Sequence, residues 1–157
     1  HLGVNMAEEQ QQPVFNIEKI YVKDLSVEVP NAPAIFLERE APQMDVQMST
    51  DSRVLSDGMY HTSITVTITA KSGDKTMFLV ECSQAGIFRI QNVPQDQLPL
   101  VLGIGCPNIV FPYLRETVSD VVIRAGFPPL LLNPVNFEAL FQQQQLAQQQ
   151  QAAPQTH

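Results

Sequence analysis

Between Ser63 and Ala70 the chain alternates without a break: Ile64, Val66, Ile68 and Ala70 are separated by Ser63, Thr65, Thr67 and Thr69. A period of two sends the two sets to opposite faces of an extended chain. β-Branched residues suit a pleated, half-buried surface, so the run predicts a strand with one face on a core. Three other runs read the same way. In the first, Tyr21, Lys23, Leu25, Val27 and Val29 share one face and Val22, Asp24, Ser26 and Glu28 the other; Pro30-Asn31-Ala32-Pro33 stops it, because proline cannot donate to a ladder. In the second, Met44, Val46 and Met48 oppose Asp45 and Gln47. After a turn at Ser72-Gly73-Asp74, the last run sets Phe78, Val80, Cys82 and Gln84 against Met77, Leu79, Glu81 and Ser83.

The period then changes. Beyond Pro107 and Asn108, residues Leu114, Val118, Val121, Val122 and Ala125 recur at helical spacing. Gly126 is placed to end that helix, and Pro128 and Pro129 block its continuation. A shorter helix is expected from Asn136, a good N-cap, with Phe137, Leu140 and Phe141 on one stripe. Gly103-Ile104-Gly105, without a third glycine, reads as a bend before Pro107 and not as a dinucleotide loop. Strands first and helices afterwards predict an α+β fold, an antiparallel sheet with helices packed on it.

With 157 residues the chain has room for one domain with a real core, and 44% apolar content excludes wholesale disorder. The division expected is a polar tail at 1–13, a domain at 14–141 and a Gln-rich tail at 142–157 that holds nine glutamines and no charge. Residues 1–5, before Met6, read as an appended remnant. The first twenty residues are polar and do not resemble a secretory signal. Gln97 to Leu114 is 18 residues without a charge, but Pro99, Pro107 and Pro112 argue against a membrane span. Cys82 and Cys106, 24 residues apart, make neither a disulfide framework nor a zinc pattern, which points to a reducing compartment.

Charged residues are only 16%, so the surface is uncharged polar, partly apolar, or covered by a partner. The net charge of −7 is concentrated in front: through Asp57 there are ten acids and four bases. That argues against nucleic acid, whose binders cluster Lys and Arg. It fits a basic protein partner or a solvated acidic face equally. An enzyme has little material here. His61 is the one non-terminal histidine, no His cluster offers a metal site, and Glu38 and Glu40 read as solvated carboxylates. The row Met44, Val46, Met48, with Phe36, Phe137 and Phe141, suits either a core or an adaptable apolar binding surface.

Longer motifs go further. Ile20-Tyr21-Val22-Lys23-Asp24-Leu25-Ser26 with Pro30-Asn31-Ala32-Pro33, then Gln84-Ala85-Gly86-Ile87-Phe88, Cys106-Pro107-Asn108, Phe111-Pro112-Tyr113-Leu114-Arg115-Glu116 and Pro134-Val135-Asn136-Phe137-Glu138-Ala139-Leu140-Phe141 resemble, in order and spacing, the bacterial SecB export chaperones. The resemblance runs from about Phe15 to Phe141. It implies a four-stranded antiparallel sheet with one long and one short helix, assembled as a dimer of dimers. It implies an ATP-independent holdase of the cytoplasm, with no cofactor, that keeps precursor proteins unfolded and passes them to the SecA motor. A SecB-like adaptor dedicated to a single partner is the alternative.

The same resemblance implies a client groove between the second strand and the short C-terminal helix, with Met44, Val46 and Met48 as floor, Phe137, Leu140 and Phe141 as wall, and Phe36 among its residues. It implies a motor-binding face at Asp24, Glu28, Leu79 and Glu81, and a packing and assembly face at Phe78, Val80, Cys82 and Gln84. Where relatives can carry a tryptophan near position 40, this chain has Glu40 and no tryptophan. Its Gln-rich tail is uncharged, so the resemblance does not carry over any motor contact made by charged tails in relatives.

Overall fold

The computed structural model describes residues 12–152; the expected N-terminal remnant, most of the 1–13 tail and the last residues of the Gln-rich tail lie outside it. Four strands form one antiparallel sheet: β1 (Val14–Glu28), β2 (Gln43–Ser56), β3 (Met59–Ser72) and β4 (Lys75–Gln91). Strands β2, β3 and β4 form a meander, and β1 pairs with β4, which gives the order β1-β4-β3-β2. The first and second strands are therefore the two edges. Asp57-Gly58 closes the β2–β3 hairpin with Gly58 at φ +75°, a left-handed conformation that favours glycine.

The strand assignments from alternation hold, with one correction in β1. Two register shifts interrupt its pairing with β4, at Glu18 and at Lys23. Each bulge adds an unpaired residue and so exchanges faces beyond it. Tyr21 pairs with Ala85 and Asp24 with Ser83, which puts both on the outer face; Val22, opposite Gln84, joins Leu25 and Val27 on the helix side. The expectation that Tyr21 shares a face with Leu25, and Val22 with Asp24, assumed an unbroken period of two.

The long helix also starts earlier than expected. It runs continuously from Leu98 to Arg124, with a short turn (Leu98–Leu100), a π turn (Val101–Gly105) and the helix proper, α1 (Cys106–Arg124). The expected bend before Pro107 is instead this π turn, in which the Cys106 N–H donates to the Val101 carbonyl, five residues back. The extra residue per turn shifts the hydrogen-bond ladder just ahead of a proline that cannot join it. The far end closes as expected at Gly126 (φ +98°): the Gly126 N–H donates to Ile123 O and the Phe127 N–H to Val122 O, the paired bonds of a Schellman cap.

Helix α1 lies across β3 and β4. Its buried stripe of Cys106, Val110, Phe111, Leu114, Val118, Val121 and Val122 meets Ile64, Val66, Ile68 and Ala70 of β3 and Phe78, Val80, Cys82 and Phe88 of β4. Burial of this apolar surface is the main stabilising term of the fold. The four residues expected on a packing and assembly face, Phe78, Val80, Cys82 and Gln84, are all buried here, under the chain's own helix. They pack the core and offer nothing to a second copy. Helix α2 (Phe137–Ala152) starts at Asn136, whose Oδ1 accepts from the Ala139 N–H at 3.0 Å, and continues as a helix through the glutamine run.

Candidate functional site

Register fixes which side chains of β2 face the helix layer. Met44, Val46 and Met48 sit opposite Ala70, Ile68 and Val66, which are core residues. Because α1 covers β3 and β4, the edge row is left partly open: Met44 is 40% exposed and Val46 44%, while Met48 is half-buried against the core. The row continues through Thr50 and Ser52, which the sequence reading did not include although the period of two runs on through them.

Both ends of this row are walled. At the Met44 end the neighbours across the sheet are Ala70 and then Phe78. Phe127 packs on Phe78 with ring centroids 4.9 Å apart, and Phe36 stacks on Phe127 at 5.1 Å with half its surface exposed. At the other end the Ser52 hydroxyl bonds to Thr62 Oγ1 (2.8 Å) and lies 3.1 Å from the Leu102 carbonyl in the π turn. The Phe141 ring lies directly on Gly103, where any Cβ would collide with it. The glycine is what lets α2 approach the π turn.

The structure thus leaves Met44, Val46 and Met48 as a partly open apolar row on a sheet edge, with Phe36 beyond its Met44 end, Phe141 on the π turn beyond its Ser52 end, and Leu140 packed against the core. Phe137 is a correction. It is 2% exposed and meets Phe111 edge-on, with ring centroids 5.8 Å apart, so it anchors α2 in the core and lines no groove. A stripe read from periodicity does not say which of its members sits deepest.

Among the described residues no helix packs on the opposite face of the sheet. There Asp24 lies opposite Ser83, Ser26 opposite Glu81, and Glu28 opposite Leu79, which gathers Asp24, Glu28, Leu79 and Glu81 on neighbouring strands of one open face. Asp45 joins them across Thr69. Further along the same face His61 is 3% exposed, its Nε2 hydrogen-bonded to the Tyr21 hydroxyl at 2.6 Å and its Nδ1 buried without a partner. Burial lowers its pKa below the usual 6.5, helped by the positive charges of Arg53 and Lys23 and opposed by Asp51. Both thiols lie on the other side of the sheet, and burial pushes Cys82 and Cys106 up to about 11. Among the described residues no group of three or more His, Cys, Asp or Glu side chains is placed to hold a metal.

A layered α+β chain with a partly exposed apolar row along one sheet edge and a charged, helix-free face behind it fits a class of binding proteins, and the comparisons place it more closely. The family model described as "Preprotein translocase subunit SecB" matches residues 8–150. The protein-export protein SecB of Thiobacillus denitrificans is 86% identical over 148 residues, covering 94% of this chain and 97% of that one. The protein of the same name from Methylobacillus flagellatus is 59% identical over 157 residues, covering 97% and 100%. A solved SecB-like chaperone from Mycobacterium tuberculosis, in complex with an antitoxin peptide, superposes with a TM-score of 0.64 at 17% identity, covering 85% of this chain and 96% of that one; at that identity the likeness is one of fold. The chain belongs to the SecB family of protein-export chaperones.

Proposed function

We propose that this chain is an ATP-independent holdase of the cytoplasm, not an enzyme, that holds unfolded precursors along the β2 trough and delivers them to the SecA motor through the open face of the sheet. The observation that carries the reading is the exposed apolar row of Met44 and Val46 on an edge strand. Such an edge offers a client both apolar contact and a row of free backbone donors and acceptors, which suits any extended segment regardless of its sequence. A folded client has hidden those segments, so selectivity for unfolded chains follows from accessibility. Several linked troughs would bind one long client with avidity.

Assembly into a dimer of dimers is supported by a second uncovered surface. Phe15, Ile17, Val22, Leu25 and Val27 are exposed on the helix side of β1, which α1 leaves largely uncovered. An apolar row of that length is costly to leave in water. The motor role rests on Asp24, Glu28, Leu79 and Glu81, an acidic patch with one apolar contact that complements a basic partner.

Size exclusion with light scattering, run with and without an unfolded precursor, tests the reading. A homotetramer that takes up the unfolded chain without ATP, and delays refolding of several unrelated precursors, is the expected result. Delay of only one partner would favour a dedicated adaptor. A monomer that ignores unfolded protein would overturn both assembly and holding.

A further inference from the structure

The open face of the sheet is two-signed along its length. Its rungs follow from the strand register. The Glu28–Leu79–Thr69–Asp45 and Ser26–Glu81–Thr67–Gln47 rungs carry three carboxylates and no base. The next rungs, Asp24–Ser83–Thr65–Ser49 and Tyr21–Ala85–Ser63–Asp51, have small or hydroxylated side chains at their centre, with Thr65 hydrogen-bonded to Ser83 at 3.1 Å. The Lys19–Ile87–His61–Arg53 rung is flanked by two cations, and Lys23, unpaired in its bulge, adds a third nearby. Lys19, Lys23 and Arg53 are exposed, and among the described residues none of them is in an ion pair. Asp51 is the one carboxylate beside them on β2, and Glu18 is taken up by Arg89 at 2.9 Å. In their midst the buried His61 Nδ1 has no hydrogen-bond partner.

We infer that this face docks a two-signed segment of the motor, a basic stretch on Asp24, Glu28 and Glu81 and a carboxylate-bearing stretch on Lys19, Lys23 and Arg53. This rests on the reading above that the motor binds here, and adds what its second contact is and which way round it lies. Glu81 and Ile87 are six residues apart on β4, about 20 Å and about twice the Debye length of roughly 10 Å at 0.1 M salt, so Glu81 and the Lys19–Arg53 rung act as separate contacts, while the consecutive Lys23 and Asp24 mark where the two stretches meet. The side chains at Ser83, Ser63 and Ala85 are short and buried, so no long side chain rises from the centre of the face between the two charged ends. Reversed docking sets like charges together at both ends, which is how such a surface fixes orientation.

The test is calorimetric titration of intact SecA into three versions of the full chain: the parent, a basic-end variant (Lys19→Glu with Arg53→Glu) and an acidic-end variant (Asp24→Lys with Glu81→Lys), each at low and moderate salt. Lys19→Gln with Arg53→Gln repeats the basic-end arm without new charge. The expected result is a fall in affinity of about tenfold at low salt for the basic-end variant, a smaller fall for its neutral version, and a shallower salt dependence for both. Loss in the acidic-end variant with parental affinity in the basic-end variant would overturn the inference and leave motor docking standing. Parental affinity in both would overturn the docking reading itself. A basic-end variant that instead loses its oligomeric state by light scattering would make the occupant a second copy of this chain, and would equally overturn the inference.

Discussion

The half-buried Tyr21 and the buried His61 form a polar pair on the face of the sheet away from α1, and their chemistry has a pH signature. His61 is hydrogen-bonded to Tyr21 of β1 and lies in the field of Arg53 and Asp51 of β2 and Lys23 of β1, and its β4 neighbour Ile87 is apolar. Its folded pKa is lowered from 6.5, so below that value the unfolded chain binds the proton more readily than the folded one. Stability is thus full above about pH 6.5 and declines as pH falls toward the lowered folded value. Urea melts between pH 5 and 8 are expected to show this slope, and His61→Gln to flatten it. Tyr21→Phe removes the partner of a buried nitrogen and should cost about 1–3 kcal/mol. Cys82 and Cys106 make the opposite prediction at the same scale. Buried and pushed up to about 11, both thiols are protonated and shielded at neutral pH. A thiol reagent should react with neither in the native protein and with both in denaturant; fast native reaction would show the sheet–helix interface opening.

At the scale of elements, the groove depends on β2 staying uncovered and α2 staying docked. Val46→Asp with Phe141→Ser removes two apolar contacts, each worth about 1 kcal/mol at partial burial, and is expected to weaken client binding tenfold or more. Phe137 still holds α2 against Phe111, so the melting temperature should move little. Unchanged client affinity in the folded variant would place the groove elsewhere. Gly103→Leu probes the same contact from the other side: a side chain there displaces Phe141, and protection of α2 in hydrogen exchange should fall. The elements themselves were largely legible. Alternation gave β2, β3 and β4 with their correct core faces, and the helical period gave the buried stripe of α1 from Leu114 to Val122. Two elements were not read fully because their defining feature is not a pattern in side chains. The bulge at Lys23 interrupts alternation where both Tyr21 and Val22 could pass for inward residues. The π turn carries the helix through glycines and a proline that by local propensity end one. Phe137 was misplaced for a third reason, since depth within a stripe is set by what packs above it. The clustering of Asp24, Glu28, Leu79 and Glu81 on one face was legible because they alternate on strands free of bulges beyond Asp24, whereas the basic rung needed the cross-strand register that no single strand contains.

For the molecule as a whole, the consequence of the fold is that its two candidate surfaces lie on opposite sides of one sheet. The trough opens on the helix side along β2, and the charged face lies behind β1 and β4. No side chain belongs to both, and the core between them is a close-packed layer with little freedom to transmit small shifts. Sites separated in this way contribute independently unless they share partners or a common rearrangement. Client holding is apolar and should change little with salt, whereas motor docking should weaken as salt rises, the Debye length shrinking from about 10 Å at 0.1 M to about 3 Å at 1 M. Combining Val46→Asp and Phe141→Ser with Asp24→Lys and Glu81→Lys therefore has a definite expected outcome. Client affinity of the fourfold variant should equal that of the groove pair alone, and its SecA affinity that of the face pair alone, each within about 0.5 kcal/mol. Both are read by calorimetry on the same assembled protein, with light scattering to confirm that its oligomeric state is unchanged. A coupling well above that limit would mean that the client alters the face the motor reads. The sheet would then be a two-state element biased from both sides, and delivery would be triggered by the load instead of following from two fixed surfaces.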